Sequence, residues 1–491
     1  MKDRLRIGDR YSKRPNLKLV APIIFAVLFC FVLCSGAGSA QQISQPGPER
    51  FTLEQAIRFS QAHFPEIRAA LAKVVAARAA VGLSRTAYLP RTDLYWQTNR
   101  ATYNNIAGLL LPQSVIPSLS GPVLADTSNR TAWGSAGGAL LSWQPFDFGA
   151  RAANVNVARA AENSANFQLQ LTNLDVSTAA ADAFLAAVVA QQRYRAAEAD
   201  VKRREAFAKA VHVLVDNQLR PGVEGSRADA ELAASRIQLL RAQETEENSR
   251  VALAEALGIA AQQIQVDPGP LASVLPAPSN APKSDGIFPK HPLAELAVAS
   301  VDEFRAREHA LQRSYFPSFS IQSLIAGRGS GVKPNGNTLE GTNGFAPDRY
   351  NFAVGVTASF PVFDFFSLRN RKQIEAANKR GAEAEYDKTV QQLTAQLQRA
   401  EIALATARQI AENTAIEVQS AQTTESQAEA RYRASLANVV EVAEAQGLLV
   451  QAETDDAIAR VSVWRALLAQ AFAAGNLQPF IDSVQAAAGG H

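Results

Sequence analysis

The sequence predicts a mixed fold of long coiled-coil α-helices and transmembrane β-strands, arranged as two structural repeats whose strands form a β-barrel shared between subunits. Three observations predict this fold. The chain of 491 residues repeats its own motifs a little over two hundred residues later. Each repeat carries apolar residues at every second position, which is typical of a strand with one apolar face. Each repeat also carries a long stretch without proline and with heptad spacing, which predicts paired helices.

The N-terminal segment 1–40 is predicted to be a secretory signal peptide. A basic stretch leads into the apolar run "LVAPIIFAVLFCFVLC" and then into small residues, with cleavage expected after Ala40. An uncleaved membrane anchor is the alternative. Both cysteines, Cys30 and Cys34, lie in this segment, and the bulky residues before them disfavour lipidation without excluding it. The mature chain is therefore expected to contain no disulfide.

The charge of the mature chain argues against nucleic acid as a partner. The whole sequence has a formal net charge of +3, and its signal segment holds seven Lys or Arg and two Asp or Glu. Removal of that segment leaves about −2, so the apparent basicity belongs to targeting. Beyond residue 40 no run approaches the roughly eighteen apolar residues of a spanning helix. Any membrane segment of the mature chain is therefore expected to be a β-strand.

Two internal repeats organise the rest of the chain. The segment "HFPEIRAALAKVVAARAAVGLSRTAYLPRTDL" at 63–94 aligns without gaps with "HPLAELAVASVDEFRAREHALQRSYFPSFSI" at 291–321. The Phe-Asp-Phe motif at 146–148 returns at 363–365. Repeated motifs in one order predict two copies of one structural unit. The predicted division is a first repeat at 41–265, a proline-rich linker at 266–288, a second repeat at 289–480 and a C-terminal tail at 481–491.

Each repeat is predicted to contain a helix and then a β-hairpin, at about 91–145 and about 318–363. The helix ends at Tyr-x-Pro because proline cannot continue a helix and restricts the residue before it. The loop inside the first hairpin includes an unusually apolar stretch, 107–124, which is expected to pack on itself or on a neighbouring subunit at the barrel mouth. Ligand binding is the alternative for that loop. In the last strand, one face carries Tyr350, Phe352, Val354, Val356, Ala358 and Phe360.

Long helices are predicted at about 150–258 and about 367–475, each folded back on itself at one sharp turn. The first arm of each hairpin has some 65 residues, which makes a rod of about 100 Å. Heptad spacing predicts that neighbouring helices lie side by side and supercoil. The heptad positions are Phe167, Leu174, Ala181 and Val188 in the first repeat and Leu393, Ala400 and Ala407 in the second.

The number of strands predicts an oligomer. Two hairpins supply four strands, whereas bacterial barrels begin at eight. An open sheet edge in lipid leaves backbone amides unpaired at a cost of several kcal/mol each. Two copies of the chain give eight strands and three copies give twelve, and only the larger number leaves an obvious lumen. Several copies are therefore expected to complete one pore.

Aromatic residues gather where each hairpin leads into a long helix. Large rings are typical of the boundary between hydrocarbon and water, so this position predicts the membrane interface. The alternative is a soluble hydrophobic core beside a helix start. The residues concerned are Trp143, Phe146, Phe148, Phe360, Phe363, Phe365 and Phe366.

These features together resemble the TolC-like outer-membrane efflux proteins, over about 51–480. The resemblance rests on the opening "FTLEQAIRFSQAHFPEIRAA", the paired "AYLP" and "SYFP", the paired Phe-Asp-Phe motifs and the turn "YRASLANVVEVAEAQ". It implies a homotrimer in the Gram-negative outer membrane, with a twelve-stranded β-barrel in lipid above a periplasmic α-helical barrel. It also implies a passive exit duct of a tripartite efflux pump or type I secretion system, working with a periplasmic adaptor protein and an inner-membrane pump.

In this family the far ends of the helices dock the adaptor, which implies a docking role for two turns of this chain. The second turn has serine where the family usually has glycine, and the first turn is about two residues shorter than the family pattern. Tight turns without a partner are the alternative. The implied docking residues are Arg220, Pro221, Gly222, Gly225, Ser226, Ser435, Leu436, Ala437 and Asn438.

No catalytic, cofactor or metal site is predicted. The five histidines are dispersed, and the sequence has no HExxH spacing, no G-x-S-x-G motif and no P-loop. A secreted periplasmic coiled-coil scaffold without channel activity is the alternative function, and an anchored sensor or enzyme is a third. The transported substrate does not follow from the sequence.

Overall fold

The structure is a computed structural model, in which the described residues are 50–105, 110–116, 123–259, 264–276, 290–333, 335–360 and 362–489. The predicted signal segment 1–40 and most of the predicted linker, from residue 277, lie outside these residues. So do parts of the apolar stretch 107–124, of which residues 110–116 and 123–124 are described.

The first repeat begins with two helices separated at Phe64. A capping box between Thr52 and Gln55 starts the first of them, and Pro65 starts the second in the first helical position, which proline favours. The elements are β1 (Arg50–Phe51), α1 (Leu53–His63), α2 (Pro65–Thr86), β2 (Arg91–Thr102), β3 (Thr131–Phe146), α3 (Ala150–Asp216) and α4 (Gly222–Leu257).

The second repeat has the same order of helix, hairpin and two long helices. A short 3₁₀ turn, Gly269–Ala272, lies between the repeats, and β1 pairs in parallel with β4. The elements are β4 (Gln265–Val266), α5 (Pro292–Arg313), β5 (Ser318–Ser330), β6 (Arg349–Ser359), α6 (Phe365–Arg433), α7 (Val439–Ala473) and α8 (Gln478–Gly489).

Four strands form one antiparallel sheet in the order β2-β3-β5-β6. The two hairpins are therefore joined through β3 and β5, and β2 and β6 are its two edges. Directly paired residues lie on the same face of a sheet. One such row is Leu94, Ala139, Ile325 and Phe352. The register thus assigns every strand residue to one of two faces.

The face that contains Leu94 is apolar and exposed. We name it the outer face. Trp96 lies on it above Gly137, where a Cβ atom would be 2.6 Å from the Trp96 ring. Glycine at this position therefore lets a large ring lie flat against the sheet. Its exposed large side chains, from 61% to 83% exposed, are Leu94, Trp96, Ile325, Tyr350, Phe352, Val354 and Val356.

The long helices form two hairpins, α3 with α4 and α6 with α7. The predicted heptad residues Leu174, Ala181 and Val188 are buried in the first hairpin, and Leu393, Ala400 and Ala407 are buried in the second. This burial agrees with helices packed side by side.

One expectation about the helices is wrong. Within α3, a window of 18 residues is apolar enough by composition to cross a membrane, although none was expected beyond residue 40. Of that window, 56% is buried inside the protein. The reason is packing, because Phe184, Leu185 and Val188 of α3 lie fully buried in the main core. The window is therefore typical of a core helix.

The main hydrophobic core gathers residues of α1, α3, α4, α6, α7 and α8 around Phe184 and Trp464. Trp464 Nε1 donates to the carbonyl of Val274 at 3.1 Å, and its ring lies 6.4 Å from that of Phe480. Residues 481–491 were expected to be a tail, yet most of them belong to α8. Alanines at 486–488 weaken the apolar signal of this helix, while Ile481 and Val484 pack against the core.

Candidate functional site

Asp147 organises the first strand-to-helix junction, between β3 and α3. Its carboxylate accepts hydrogen bonds from the backbone N–H of Gly149 at 3.1 Å and of Arg151 at 2.8 Å, and from Arg151 Nε at 2.8 Å. Both charged side chains are buried. Burial raises the pKa of Asp147, but the hydrogen bonds and charge of Arg151 outweigh it and hold the pKa below its ordinary value. The pair therefore caps the first turn of α3.

Arg151 also ties this junction to the end of α2. Its Nη1 donates to the carbonyl of Ala87 at 3.3 Å, and its guanidinium lies 4.7 Å from the centre of the Tyr88 ring. Trp143 Nε1 donates to the carbonyl of Tyr88 at 3.0 Å. The Tyr-x-Pro entry and the Phe-Asp-Phe exit of the first repeat are therefore held together by a small polar and aromatic cluster.

Phe148 joins the first repeat to the second. Its ring centroid lies 4.6 Å from that of Phe146, 5.6 Å from that of Phe316 and 6.4 Å from that of Phe319. Phe148 has a φ of 52°, in the left-handed region that a bulky residue rarely adopts. Ring contacts from both repeats thus surround a strained backbone position.

In the second junction, between β6 and α6, no buried ion pair is found among the residues that the structure describes. Asp364 precedes α6 without a side-chain capping bond. Phe365 contacts Tyr315 and Phe366, each at 5.8 Å between ring centroids. All seven predicted interface aromatics lie at the two junctions. At the first junction, the exposed fractions are 39% for Trp143, 52% for Phe146 and 38% for Phe148. At the second junction they are 63% for Phe360, 90% for Phe363, 50% for Phe365 and 71% for Phe366.

The two helical turns have the same backbone. Five residues separate α3 from α4, and five separate α6 from α7. Gln218 and Ser435 take the same left-handed position, with φ of 59° and 64°. The next residues, Leu219 and Leu436, each donate to a carbonyl five residues back, at 2.8 Å, which is the Schellman arrangement. The serine noted in the sequence therefore occupies the position that usually favours glycine.

The structure separates the nine predicted docking residues into two groups. Three lie inside the turn region. Arg220 is turned toward the second turn, Ala437 is buried, and a Cβ on Gly225 would lie 3.4 Å from His212 Cε1. The other six are exposed: Pro221, Gly222, Ser226, Ser435, Leu436 and Asn438.

Arg220 bridges the two turns. Its Nη2 donates to the carbonyls of Tyr432 at 3.1 Å and Ala437 at 3.2 Å, and its guanidinium lies 4.7 Å from the centre of the Tyr432 ring. The Tyr432 hydroxyl donates to Glu224 Oε2 at 2.9 Å, and Glu224 lies 3.7 Å from Arg220. We call Arg220, Glu224 and Tyr432 the turn latch.

Tyr432 of the latch keeps its proton near neutral pH. Burial, followed by the hydrogen bond to Glu224, raises the pKa of Tyr432 to about 12. The phenol therefore keeps its proton and its role as donor throughout the physiological range. Ordinary pH changes therefore do not ionise Tyr432.

Sequence reasoning missed Glu224, Tyr432 and two exposed apolar residues of the turns. Leu219 is 69% exposed and Val223 is 73% exposed. Leu436 of the second turn is 70% exposed. Leu219 and Leu436 are equivalent in the two repeats, so extending the repeat alignment into the turns would have found Leu219. Among the described residues, no group of three or more His, Cys, Asp or Glu side chains is placed to hold a metal ion.

Comparison with known proteins decides the family. A family model described as outer membrane efflux protein matches residues 57–259 and 292–476. The chain belongs to the outer membrane efflux protein family. This efflux protein is similar to the protein CyaE of Bordetella pertussis, with 26% identity over 363 residues, which are 71% of this chain and 69% of CyaE.

Solved structures share the fold of this efflux protein. CusC, whose structures concern folding and transmembrane channel formation, matches with a TM-score of 0.72 and 15% identity over 86% of this chain and 92% of CusC. The CmeC outer membrane channel of Campylobacter jejuni matches with a TM-score of 0.69 and 15% identity over 89% of each chain. The predicted combination of long helices with a sheet is therefore a known channel fold.

Family membership confirms the predicted location. This efflux protein belongs to the outer membrane, which the alternative of a secreted periplasmic scaffold did not predict. The exposed outer face of the sheet agrees with a lipid environment, because apolar side chains alternate with inward residues on lipid-facing strands.

Proposed function

We propose that three copies of this chain form the exit duct of a tripartite efflux pump or type I secretion system. The duct is a passive channel that spans the outer membrane and continues through the periplasm as a barrel of helices. An inner-membrane pump supplies the energy, and a periplasmic adaptor connects the pump to the duct. The observation that supports the proposal most directly is a four-stranded sheet with two open edges and an apolar outer face.

The edges of the sheet are suited to closure between copies. The four strands alternate in direction, so β2 and β6 run in opposite directions. The β6 edge of one copy can therefore pair with the β2 edge of the next in the same antiparallel manner. Every residue of β6 is exposed in the single chain, as an unpaired edge requires. Three copies then give twelve strands and no open edge in lipid.

A charge placed on either face of β6 tests the barrel. Val354 and Val356 lie on the outer face, whereas Thr357 lies on the opposite face. Val354→Asp and Val356→Asp are each expected to destabilise the assembled protein by about 2 kcal/mol or more, because lipid does not solvate a carboxylate. Thr357→Asp is the matched control and is expected to assemble. Heat-modifiable migration on a gel measures the assembled fraction, and equal losses for all three variants would contradict the face assignment.

The turn latch is proposed to keep the periplasmic end narrow. It fastens the turn of the first helical hairpin to that of the second through Arg220 and Tyr432, so the two hairpins cannot move apart while the latch is closed. Widening of the helical barrel at this end requires such a movement. An adaptor that binds the turns is therefore in a position to break the latch and open the duct.

Conductance across planar bilayers tests the latch. Tyr432→Phe removes only the hydroxyl that reaches Glu224, and Arg220→Ala removes the bridge between the turns. Both variants are expected to conduct more than the unmodified protein, Arg220→Ala more strongly. Arg433→Ala is the control, because Arg433 is a neighbouring exposed arginine that pairs with Glu429 on its own helix. Unchanged conductance in both latch variants would contradict the proposal that the latch is a gate. It would not contradict the proposal of a shared barrel.

The adaptor-docking surface is proposed to be the exposed part of the turns. Leu219 and Leu436 are exposed apolar residues at equivalent positions of the two turns, and Val223 is a further exposed apolar residue near Leu219 in the sequence. Large apolar side chains left exposed are typical of a protein contact when they form one surface. Leu219→Asp combined with Leu436→Asp is expected to abolish efflux in cells, because charge prevents burial of these positions. The assembled protein is expected at its normal level on gels, and retained efflux would contradict the docking surface.

A further inference from the structure

Residues 110–116 of the first hairpin loop lie against the sheet. We call this stretch, "LLPQSVI", the apolar segment. Ile116 is only 4% exposed and packs with Ala136 of β3 and Ala326 of β5. Leu110, Val115, Tyr95 and Leu324 pack around the same contact. The apolar segment therefore does not project freely from the end of the hairpin, but covers part of one face of the sheet.

The covered face is opposite the outer face. The register places Tyr95, Gly138, Ala326 and Asn351 in one row across the four strands. This row alternates with the rows that carry Leu94 and Trp96, whose side chains belong to the outer face. Since strand residues alternate between faces, Ile116 sits on the inner face. In a barrel closed by three copies, the inner face is the wall of the passage.

Polar contacts hold the apolar segment in this position. Gln97, on the inner face of β2, donates from Nε2 to the carbonyl of Leu111 at 3.3 Å. Gln113 Oε1 accepts from the backbone N–H of Val115 at 2.5 Å and of Ile116 at 2.7 Å, and its Nε2 donates to the carbonyl of Ile116. Gln113 thus stabilises a tight turn within the segment, and Gln97 binds the segment to the inner face of the sheet.

The wall is shaped to receive the segment. The two wall residues beneath Ile116 are alanines, and Ala136 is completely buried. Larger side chains at these positions would occupy the space that Ile116 fills. Leu111, in contrast, is 56% exposed and adds apolar surface to the segment. In a barrel of three copies, each copy would contribute one such surface to the passage.

We propose that the apolar segment forms an apolar constriction in the outer-membrane part of the duct. The proposal rests on the shared barrel proposed above. Narrow apolar sections of a channel restrict water and hydrated solutes by dewetting. The duct then has a second barrier, independent of the turn latch, that slows polar solutes entering from outside. Cargo with apolar surface is favoured at this level, because its contacts with Leu111 and its neighbours replace the missing water.

Thiol labelling of intact cells tests the constriction. Gly355 lies on the inner face of β6, four residues beyond Asn351 toward the helices, or about 13 Å deeper than the row beneath the segment. A Cβ at Gly355 meets no atom within 4 Å, so Gly355→Cys fits. The reagent is a membrane-impermeant sulfonated maleimide. The chain's only cysteines, Cys30 and Cys34, are replaced by serine in this background.

Gly355→Cys is expected to react slowly in the otherwise unmodified chain. Ile116→Asp is expected to speed labelling at least about tenfold, because a carboxylate packed against alanines is unfavourable enough to displace the segment. Gln113→Ala, which loosens the turn without adding charge, is expected to act in the same direction. Val123→Asp is the matched control, since Val123 belongs to the same loop, is 76% exposed and leaves the wall contact intact.

The outcomes separate this inference from the shared barrel. Val356→Cys, on the outer face, is expected to stay unlabelled in lipid. If Val356→Cys reacts as fast as Gly355→Cys, the shared barrel fails and the constriction fails with it. If only Gly355→Cys reacts, but at the same rate with and without Ile116→Asp and Gln113→Ala, the barrel stands and the constriction is overturned.

Discussion

The two strand-to-helix junctions carry the same three residues, Phe-Asp-Phe, and differ in almost everything else. In the first, Asp147 is buried and holds the start of α3 through three hydrogen bonds. In the second, Asp364 makes no capping bond with its side chain, and Phe363 is 90% exposed. The first junction is therefore held by contacts inside the protein, whereas the aromatic rings of the second junction are exposed.

The residue four positions after the aspartate explains the difference. Arg151 follows Asp147 at that distance, and it donates to the Asp147 carboxylate from both its backbone N–H and its Nε. Leu368 follows Asp364 at the same distance, and its side chain offers no hydrogen-bond donor. A repeated motif therefore specifies where a junction lies along the chain, while a neighbouring residue decides whether the junction closes internally or remains available to lipid or another subunit.

Replacement of Arg151 by the residue of the second repeat tests this explanation most strongly. Arg151→Leu leaves Asp147 buried without its partner and removes the contacts with Ala87 and Tyr88. We expect a loss of about 3 kcal/mol in the free energy of unfolding, as for other broken buried pairs. Denaturation followed by circular dichroism in detergent measures it. Arg369→Leu is the control, since Arg369 is exposed near the start of α6; a loss as large as that of Arg151→Leu would contradict the explanation.

Removal of one ring from each junction gives the next largest effect. Phe148→Ala deletes the contacts with Phe146, Phe316 and Phe319, and we expect a loss of about 2 kcal/mol, less than for a fully buried phenylalanine because the ring is 38% exposed. Phe363→Ala removes a ring that is 90% exposed, and in detergent it is expected to change stability by less than about 0.5 kcal/mol. Equal losses of stability in Phe148→Ala and Phe363→Ala would show that both junctions are held by contacts inside the protein.

The positions of the junctions followed from the sequence, but their difference did not. Proline after Tyr88 and Tyr315 predicts where helices end, and alternation at 350–360 predicts an exposed strand face, because both depend on local chemistry. The partner of Asp147 is Arg151, whose side chain also contacts Ala87 and Tyr88, which lie some sixty residues earlier. The turns show the same limit, since the sequence implied a docking role for Arg220 but did not predict that its side chain binds Tyr432 of the other hairpin.

Acidification is expected to weaken the first junction. The pKa of Asp147 lies below its ordinary value in the folded protein. The carboxylate therefore contributes stability above the ordinary aspartate pKa of about 3.9, and this contribution is lost as the pH falls through the lowered value. Asp147→Asn is expected to remove part of the loss of stability at acid pH. Asp364→Asn is the control, because Asp364 makes no capping bond with its side chain. Identical pH profiles for the two variants would contradict the comparison.

The turns supply the opposite case, in which the two repeats match, and there the smallest effect is expected. Gln218 and Ser435 both adopt left-handed backbone, which costs a residue with a Cβ about 1 kcal/mol or more, whereas glycine adopts it freely. After allowing for the greater freedom of glycine in the unfolded chain, Gln218→Gly and Ser435→Gly are each expected to stabilise the protein by about 0.5 kcal/mol. Ala434→Gly, at a φ of −80°, is the control and is expected to destabilise it. A gain of stability at one turn and a loss at the other would contradict this expectation. It would mean that the two turns, like the two junctions, share a pattern but have different energetics.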